Sequence, residues 1–314
     1  MYRVKNPVLI RFFNRPNKIK KVMAILKKVK PKQLYLLADG PRPSKGKREK
    51  KLVEITRQIA TEINWKCNVK KKFFKENLGG PKAGYEGICW FFNSVKQGII
   101  LEDDCIPNID FFKFCDELLE YYKDDNRVGH ITGNNFQNGN VRGDSSYYFS
   151  KYTHTWGWAS WKRSVSNWNL VEKNWPKIKK KKLINNFYND NNEKKYWEKI
   201  FDELNSCKNV HWDYSWMLKQ WMNKSLTVTP NVNLVKNIGF GKDATHQVDK
   251  NSNLNSVTLQ KLDKIIHPKE IKINIIADIY AFNFVFKEKI IGFPGNLIHL
   301  FKRILNFLKK NLIK

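Results

Sequence analysis

The stretch Gly98-Ile99-Ile100-Leu101-Glu102-Asp103-Asp104 decides how the chain is read. Its opening residues are small or apolar and form a short buried strand, and its last three are consecutive carboxylates. Such charges directly after a buried strand are costly unless something neutralises them. Mg²⁺ or Mn²⁺ is the usual solution, because hard cations take carboxylate oxygens and keep positions open for phosphate. The alternative is an acidic loop capping the next helix, a task for which Asp110 is better placed.

Working outward, the segments on either side alternate strand and helix. Residues 8–13 are a β-branched and aromatic run, and Pro16 opens a helix through about residue 29. Residues 33–39 are a second buried strand closed by Gly40-Pro41, residues 45–63 a charged helix, and residues 68–74 a third strand. Residues 84–95 read as a helix before the acidic strand. Phe111, Phe114, Leu118 and Tyr122 mark an amphipathic helix after it, and residues 128–132 form a fifth strand. This alternation predicts an α/β fold with a doubly wound, mainly parallel sheet flanked by helices. Ligands of such sheets bind at the carboxyl ends of the strands. The polar residues at those ends are Asn14-Arg15, Asp39 and the acidic triplet, the pattern of a nucleotide site.

Beyond residue 135, Asn, Gly and aromatics dominate to about Trp175. A basic run follows at 177–182, then two helices over 193–222 separated near Asn209, a strand at 226–230, and a polar loop over 247–264. In the C-terminal stretch, Leu297, Ile298, Leu300, Phe301, Ile304, Leu305, Phe307, Leu308 and Leu312 fall on one helical face, with Lys302, Arg303, Lys309, Lys310 and Lys314 elsewhere. A basic amphipathic helix of this kind reads as lying on an anionic membrane, and the alternative is a helix docked on the protein's own core.

Composition bounds the function classes. With 314 residues, 41% apolar and 14% aromatic, the chain belongs to a globular protein with a substantial core. The formal charge of +29 suggests an anionic partner, but the lysines are scattered along the whole chain. A basic nucleic-acid-binding protein is the competing reading; against it, no binding motif is present and the triplet repels phosphate unless a metal intervenes. Cys67, Cys89, Cys105, Cys115 and Cys207 form no C-x-x-C pair and read as reduced thiols of a cytosolic protein. No signal peptide is expected at the N-terminus, and no apolar run of about 18 residues marks a membrane span.

The stretch Ile100-Leu101-Glu102-Asp103-Asp104-Cys105-Ile106-Pro107-Asn108-Ile109-Asp110-Phe111-Phe112 resembles the Glu-Asp-Asp segment of the N-acetylglucosaminyltransferase I family, a variant of the Asp-x-Asp motif of GT-A glycosyltransferases. The wider sequence, roughly residues 6–247, resembles a bacterial, hemolytic-protein-like group of nucleotide-diphospho-sugar transferases. The matching pieces are Asn77-Leu78-Gly79, Trp90-Phe91-Phe92, Tyr147 through Tyr152, Trp156-Gly157-Trp158-Ala159-Ser160-Trp161, Trp212-Asp213, and Asn231 through Val235 running on to Asp243-Ala244-Thr245-His246. The resemblance implies a GT-A catalytic domain over 1–247, with a donor-binding half at 1–135 and an acceptor-side half at 136–247. Residues 248–314 would then be a C-terminal extension.

The resemblance also implies roles. Arg15 would sit by the donor nucleotide, and Asp39 would bond the base or ribose, although an Asp before Gly-Pro is equally a turn residue. Asp104 would ligate the metal, with Glu102 and Asp103 on the ribose, the sugar or metal-bound water. Gly157 and Trp158 would belong to the acceptor-side loop, where Gly admits close backbone approach and Trp stacks on a pyranose; the alternative is a strand packing into the core. Asp213 would be the base that takes the acceptor proton in an inverting transfer, with a helix cap as its alternative. His246 would be a metal ligand, a role that rests on the broader fold.

The resulting expectation is a Mn²⁺- or Mg²⁺-dependent glycosyltransferase that uses a UDP-sugar and a glycan or lipid-linked acceptor in surface polysaccharide synthesis. It would work without nucleic acid, in the cytoplasm, at the inner face of the membrane. A metal-dependent nucleotidyltransferase is the other enzymatic reading; it would need a triphosphate-gripping Gly-rich loop, which Asn14-Arg15-Pro16-Asn17 is not.

Overall fold

In the computed structural model, which describes residues 2–208, 210–240 and 257–286, strands β1 (Val8–Phe12), β2 (Gln33–Ala38), β3 (Asn68–Phe73) and β4 (Gln97–Glu102) alternate with helices α1 (Pro16–Val29), α2 (Gly46–Thr61) and α3 (Gly80–Ser94). The chain continues through β5 (Cys105–Pro107), α4 (Ile109–Tyr121), β6 (Val128–Thr132), β7 (Tyr147–Ser150), β8 (Trp158–Trp161), α5 (Lys162–Val165), α6 (Trp175–Lys180) and α7 (Asn191–Asn205). It ends in α8 (Trp212–Met222), β9 (Leu226–Pro230), β10 (Val235–Asn237) and α9 (Ile275–Ala281).

Among the described residues, eight strands make one sheet in the order β3-β2-β1-β4-β8-β6-β9-β7. β1 pairs parallel with β2 and β4, β2 with β3, and β6 with β9. β8 is antiparallel to both β4 and β6, and β7 is antiparallel to β9. All strands but β8 and β7 therefore point one way, which is the mainly parallel, helix-flanked α/β sheet that the alternation implies. The two expected halves share this sheet. β10 pairs with β5 in a separate ribbon.

Period-two alternation sends side chains to opposite faces. Val8, Ile10 and Phe12 join Leu34, Leu36, Ile99 and Leu101 in one core, together with Ile19 and Val22 of α1 and Phe111, Phe114 and Leu118 of α4. Leu9, Tyr35, Leu37 and Ile100 face the other way, onto Ile88 and Phe91 of α3 and Trp216 of α8. Arg11 and Glu102 share the parity of Leu9 and Ile100, which directs both toward the α3 and α8 side.

Several boundaries differ from expectation for local reasons. α3 begins at Gly80 rather than 84, because Pro81 suits a helix's first turn. α4 is capped by Asn108, whose side-chain oxygen accepts from Phe111 N at 2.9 Å, and not by Asp110. Residues 257–286, expected in a C-terminal extension, pack on the sheet: Gln260 N donates to Asn233 O at 2.8 Å, and α9 buries Ala277, Asp278 and Ile279. His246 and the expected amphipathic helix over 294–314 lie outside the described residues. No described helix is long and apolar enough to cross a membrane.

Trp158, Trp168 and Trp216 form an aromatic block under α8. Losing an indole from such a core costs about 3–5 kcal/mol. Trp216 Nε1 donates to His130 Nδ1 at 3.0 Å, so the imidazole proton sits on Nε2, 3.0 Å from the His154 carbonyl it donates to. Burial holds His130 neutral, pushing its pKa down to about 3 from its ordinary 6.5. Between those values the unfolded chain binds a proton that the folded protein does not, so acid removes stability there. Urea unfolding of wild type should lose about 1.4 kcal/mol per pH unit through this group between pH 6.5 and 4, and His130→Asn should flatten the slope by up to one proton. Identical slopes for the two proteins would show that His130 does not carry it.

Candidate active site

The parallel register of β1 and β4 places Arg11 opposite Glu102. Their side chains meet with Arg11 Nη1 2.6 Å from Glu102 Oε1. The Arg11 guanidinium also lies 4.6 Å from the ring centre of Trp212, over its face, a cation–π contact between the strand end and the start of α8. Gly84 of α3 leaves room for it: a Cβ there would come within 2.5 Å of Arg11 Nη2 and 3.3 Å of the Trp212 ring.

One residue further along, the chain turns and the charges change partners. Phe13 N donates to Asp103 Oδ2 at 3.3 Å. Arg15 Nη1 lies 2.8 Å from Asp104 Oδ2 and 3.5 Å from Asp103 Oδ1. The loop carrying Arg15 is held from behind, because Asn14 Nδ2 donates to Glu49 Oε2 at 3.1 Å and Arg42 pairs with the same carboxylate. From the opposite side the β5–β10 ribbon closes in. Ile238 N donates to the Asp104 carbonyl at 2.8 Å, and a Cβ on Gly239 would run into Asp104 Oδ2.

Burial beside its neighbouring carboxylates pushes the Asp103 pKa up to about 7. Glu102 is raised for the same first reason, burial, with Arg11 opposing the shift and the charges of Asp104 and Asp213 adding to it. Asp213 therefore stands within electrostatic reach of Glu102. Among the described residues, four carboxylates, Glu102, Asp103, Asp104 and Asp213, gather at this strand end with two guanidiniums, Arg11 and Arg15.

Asp213 lies inside the first turn of α8, and His211 occupies the cap position. Its Oδ1 accepts from Tyr214 N at 3.0 Å, and its other oxygen has no described partner. Asp39 is differently placed. Its carboxylate accepts from Gly40 N at 2.8 Å, Leu78 N at 2.9 Å, Gly79 N at 3.0 Å and Asn77 Nδ2 at 3.0 Å. Those donors use the capacity of a carboxylate, so Asp39 fastens the loop ahead of α3 instead of offering oxygens to a base or ribose.

Of the two tryptophans flanking Gly157, Trp158 is 0% exposed and stacks against His130 and Trp212. It belongs to the core, as the alternative reading of this segment had it, because even positions of β8 face inward under α8. Trp156 is half-buried, with its ring edge-on to Phe136 and Phe240. Gly157 has φ +80°, a conformation that favours glycine, and a Cβ there would meet Val235 at 2.8 Å. Its role is to let the loop cross Val235 on the way into β8.

Sequence reasoning passed over Arg11 and Gly239. A charged residue inside the otherwise buried run of β1 was the available signal for Arg11. No local signal marks Gly239, whose importance comes from ribbon pairing. Among the described residues, no three His, Cys, Asp or Glu side chains converge into a closed metal cage.

No protein-family model and no curated protein matches the chain. Solved structures that align with it include HddC from Yersinia pseudotuberculosis, at 12% identity over 52% of this chain and 80% of that one, with a TM-score of 0.32. A cytidylyltransferase from Leptospira borgpetersenii aligns at 12% identity over 52% of this chain and 63% of that one, with a TM-score of 0.31. The galactosyltransferase LgtC, in complex with donor and acceptor sugar analogues, aligns at 9% identity over 70% of this chain and 72% of that one, with a TM-score of 0.35. Likenesses this low assign no residue a role.

Proposed function

We propose that the protein is a divalent-cation-dependent glycosyltransferase that moves a sugar from a nucleotide diphosphate donor to a hydroxyl of a glycan or lipid-linked acceptor, with inversion. The observation that carries the reading is the cluster of carboxylates, Asp103 buried and Asp104 half-buried, at the joint ends of β1 and β4, where ligands of parallel sheets bind.

Neighbouring carboxylates are the donor type that Mn²⁺ or Mg²⁺ takes. Asp104 and Asp103 would hold the ion, with its remaining positions going to water and phosphate oxygens. When bound, the ion would stabilise the negative charge that develops on the departing diphosphate. Arg15, beside the same carboxylates, is placed to grip phosphate oxygens with its planar fork. Glu102 is tied to Arg11 and therefore serves to hold the strand end and not to move protons. Asp213 has an oxygen to spare and takes the acceptor proton as the acceptor oxygen bonds to the anomeric carbon and the carbon–phosphate-oxygen bond breaks.

UDP or a UDP-sugar should raise the melting temperature only when Mn²⁺ or Mg²⁺ is present. Asp104→Ala should abolish that shift and Asp213→Ala should keep it. Equal stabilisation in EDTA would remove the cation from the proposal.

Asp213→Asn should bind donor normally yet transfer sugar about 10²-fold more slowly, the usual scale for a general base. Near-normal turnover would reduce Asp213 to a helix-start residue, and a product of retained anomeric configuration by NMR would rule out the inverting route.

The site of action is proposed to be an anionic membrane surface, from the basic amphipathic pattern of residues 294–314. Full-length protein should float with anionic liposomes at low salt, and protein truncated before residue 294 should not. Flotation by neither, together with a sharp drop in melting temperature on truncation, would make this segment part of the protein's own core.

A further inference from the structure

We infer that Arg15 is an exchangeable counter-ion: without ligand its guanidinium takes the carboxylate oxygens a divalent cation would use, and on donor binding it transfers to the diphosphate. The inference rests on the reading of Asp103 and Asp104 as cation ligands. Arg15 Nη1 sits 2.8 Å from Asp104 Oδ2 and 3.5 Å from Asp103 Oδ1, and the three side chains are 18%, 13% and 8% exposed. A guanidinium and a metal ion on the same carboxylate oxygen repel each other across a poorly solvated space. Entry of the cation therefore requires Arg15 to leave that oxygen.

The geometry permits such a departure. The backbone at Arg15 is pinned, since its carbonyl accepts from Lys18 N and Ile19 N, each at 3.1 Å, in the first turn of α1. The loop stays in place while the long side chain turns on it. A phosphate oxygen pair is the natural new partner, because guanidinium binds carboxylate and phosphate with the same fork.

Arg11 is the internal contrast. It is stacked on Trp212 and paired with Glu102, and Gly84 offers it a fitted slot. Arg11 sits in the wall, whereas Arg15 lies on the carboxylate oxygens themselves, which makes Arg15 the group a cation competes with. Cation and diphosphate then assist each other's binding. The cation displaces Arg15 toward the phosphate, and the phosphate draws Arg15 off the cation's ligand.

The test is Mn²⁺ binding to the full-length protein, followed by electron paramagnetic resonance, with and without UDP, for wild type, Arg15→Gln, Arg15→Lys and Arg11→Gln. Arg15→Gln should bind Mn²⁺ alone about tenfold more tightly than wild type, and should bind UDP at saturating Mn²⁺ about tenfold more weakly. Arg11→Gln should tighten Mn²⁺ less than Arg15→Gln does, and Arg15→Lys should fall between wild type and Arg15→Gln. In wild type alone, Mn²⁺ and UDP should raise each other's affinity by one common factor, which needs no variant to fold.

Unchanged Mn²⁺ affinity in Arg15→Gln, or equal tightening by Arg11→Gln, would overturn the exchange while cation-dependent UDP binding by wild type left the proposed function standing. Cation-independent UDP binding by wild type would overturn both.

Discussion

Two neighbouring parallel strands, β1 and β4, end in register with opposite charges, Arg11 against Glu102. That pairing is the constraint around which the candidate site is arranged. The charges point into a space roofed by α3 and α8, where neither could stay unpaired at acceptable cost. Beyond the strand ends, among the described residues, Asp103, Asp104 and Asp213 bring three more carboxylates, and Arg15 pairs with the first two. Burial, with the charges of Asp104 and Glu102 adding to it, raises the Asp103 pKa.

The surrounding fold keeps these charges in place. Asp39 ties the loop ahead of α3 with three hydrogen bonds, which fixes where Gly84 lies and so the slot for Arg11. Glu49 holds Asn14 and Arg42, which steadies the loop carrying Arg15. Trp216 of α8 packs on Trp158 and Trp168, which seats the helix so that Trp212 covers Arg11 and Asp213 comes within reach of Glu102. The short β5–β10 ribbon adds the last wall by bringing Gly239 onto Asp104.

Tight fastening and exchange coexist in this arrangement because they fall on different residues. Arg11, Glu102, Asp39 and Glu49 spend their hydrogen-bonding capacity within the protein. Asp103, Asp104 and the second oxygen of Asp213 bring carboxylate charge to the strand ends, where Arg15 meets the first two. A site assembled in this way can accept a charged ligand without unfolding the loops that form it.

The sequence by itself determined the element order and the place of the acidic triplet, because both are written in local periods: apolar runs at strand length, helical spacing in Phe111, Phe114 and Leu118, and a carboxylate cluster at a strand end. It also carried the strand alternative for residues 156–161, which holds for the buried 158–161 and not for half-buried Trp156 ahead of them. Only the tertiary structure could decide which polar residues are spent. Asp39 and Asp104 both follow apolar strands and look alike in sequence, yet one meets two backbone N–H groups and an amide from a loop some forty residues on, and the other meets Arg15. Nor does any local pattern show that Gly239 lies on Asp104, or that Arg11 reaches Trp212. A side chain's partners are set by strand order, register and helix packing, which join residues far apart in the chain, and those long-range pairings leave no trace in the spacing of neighbouring residues.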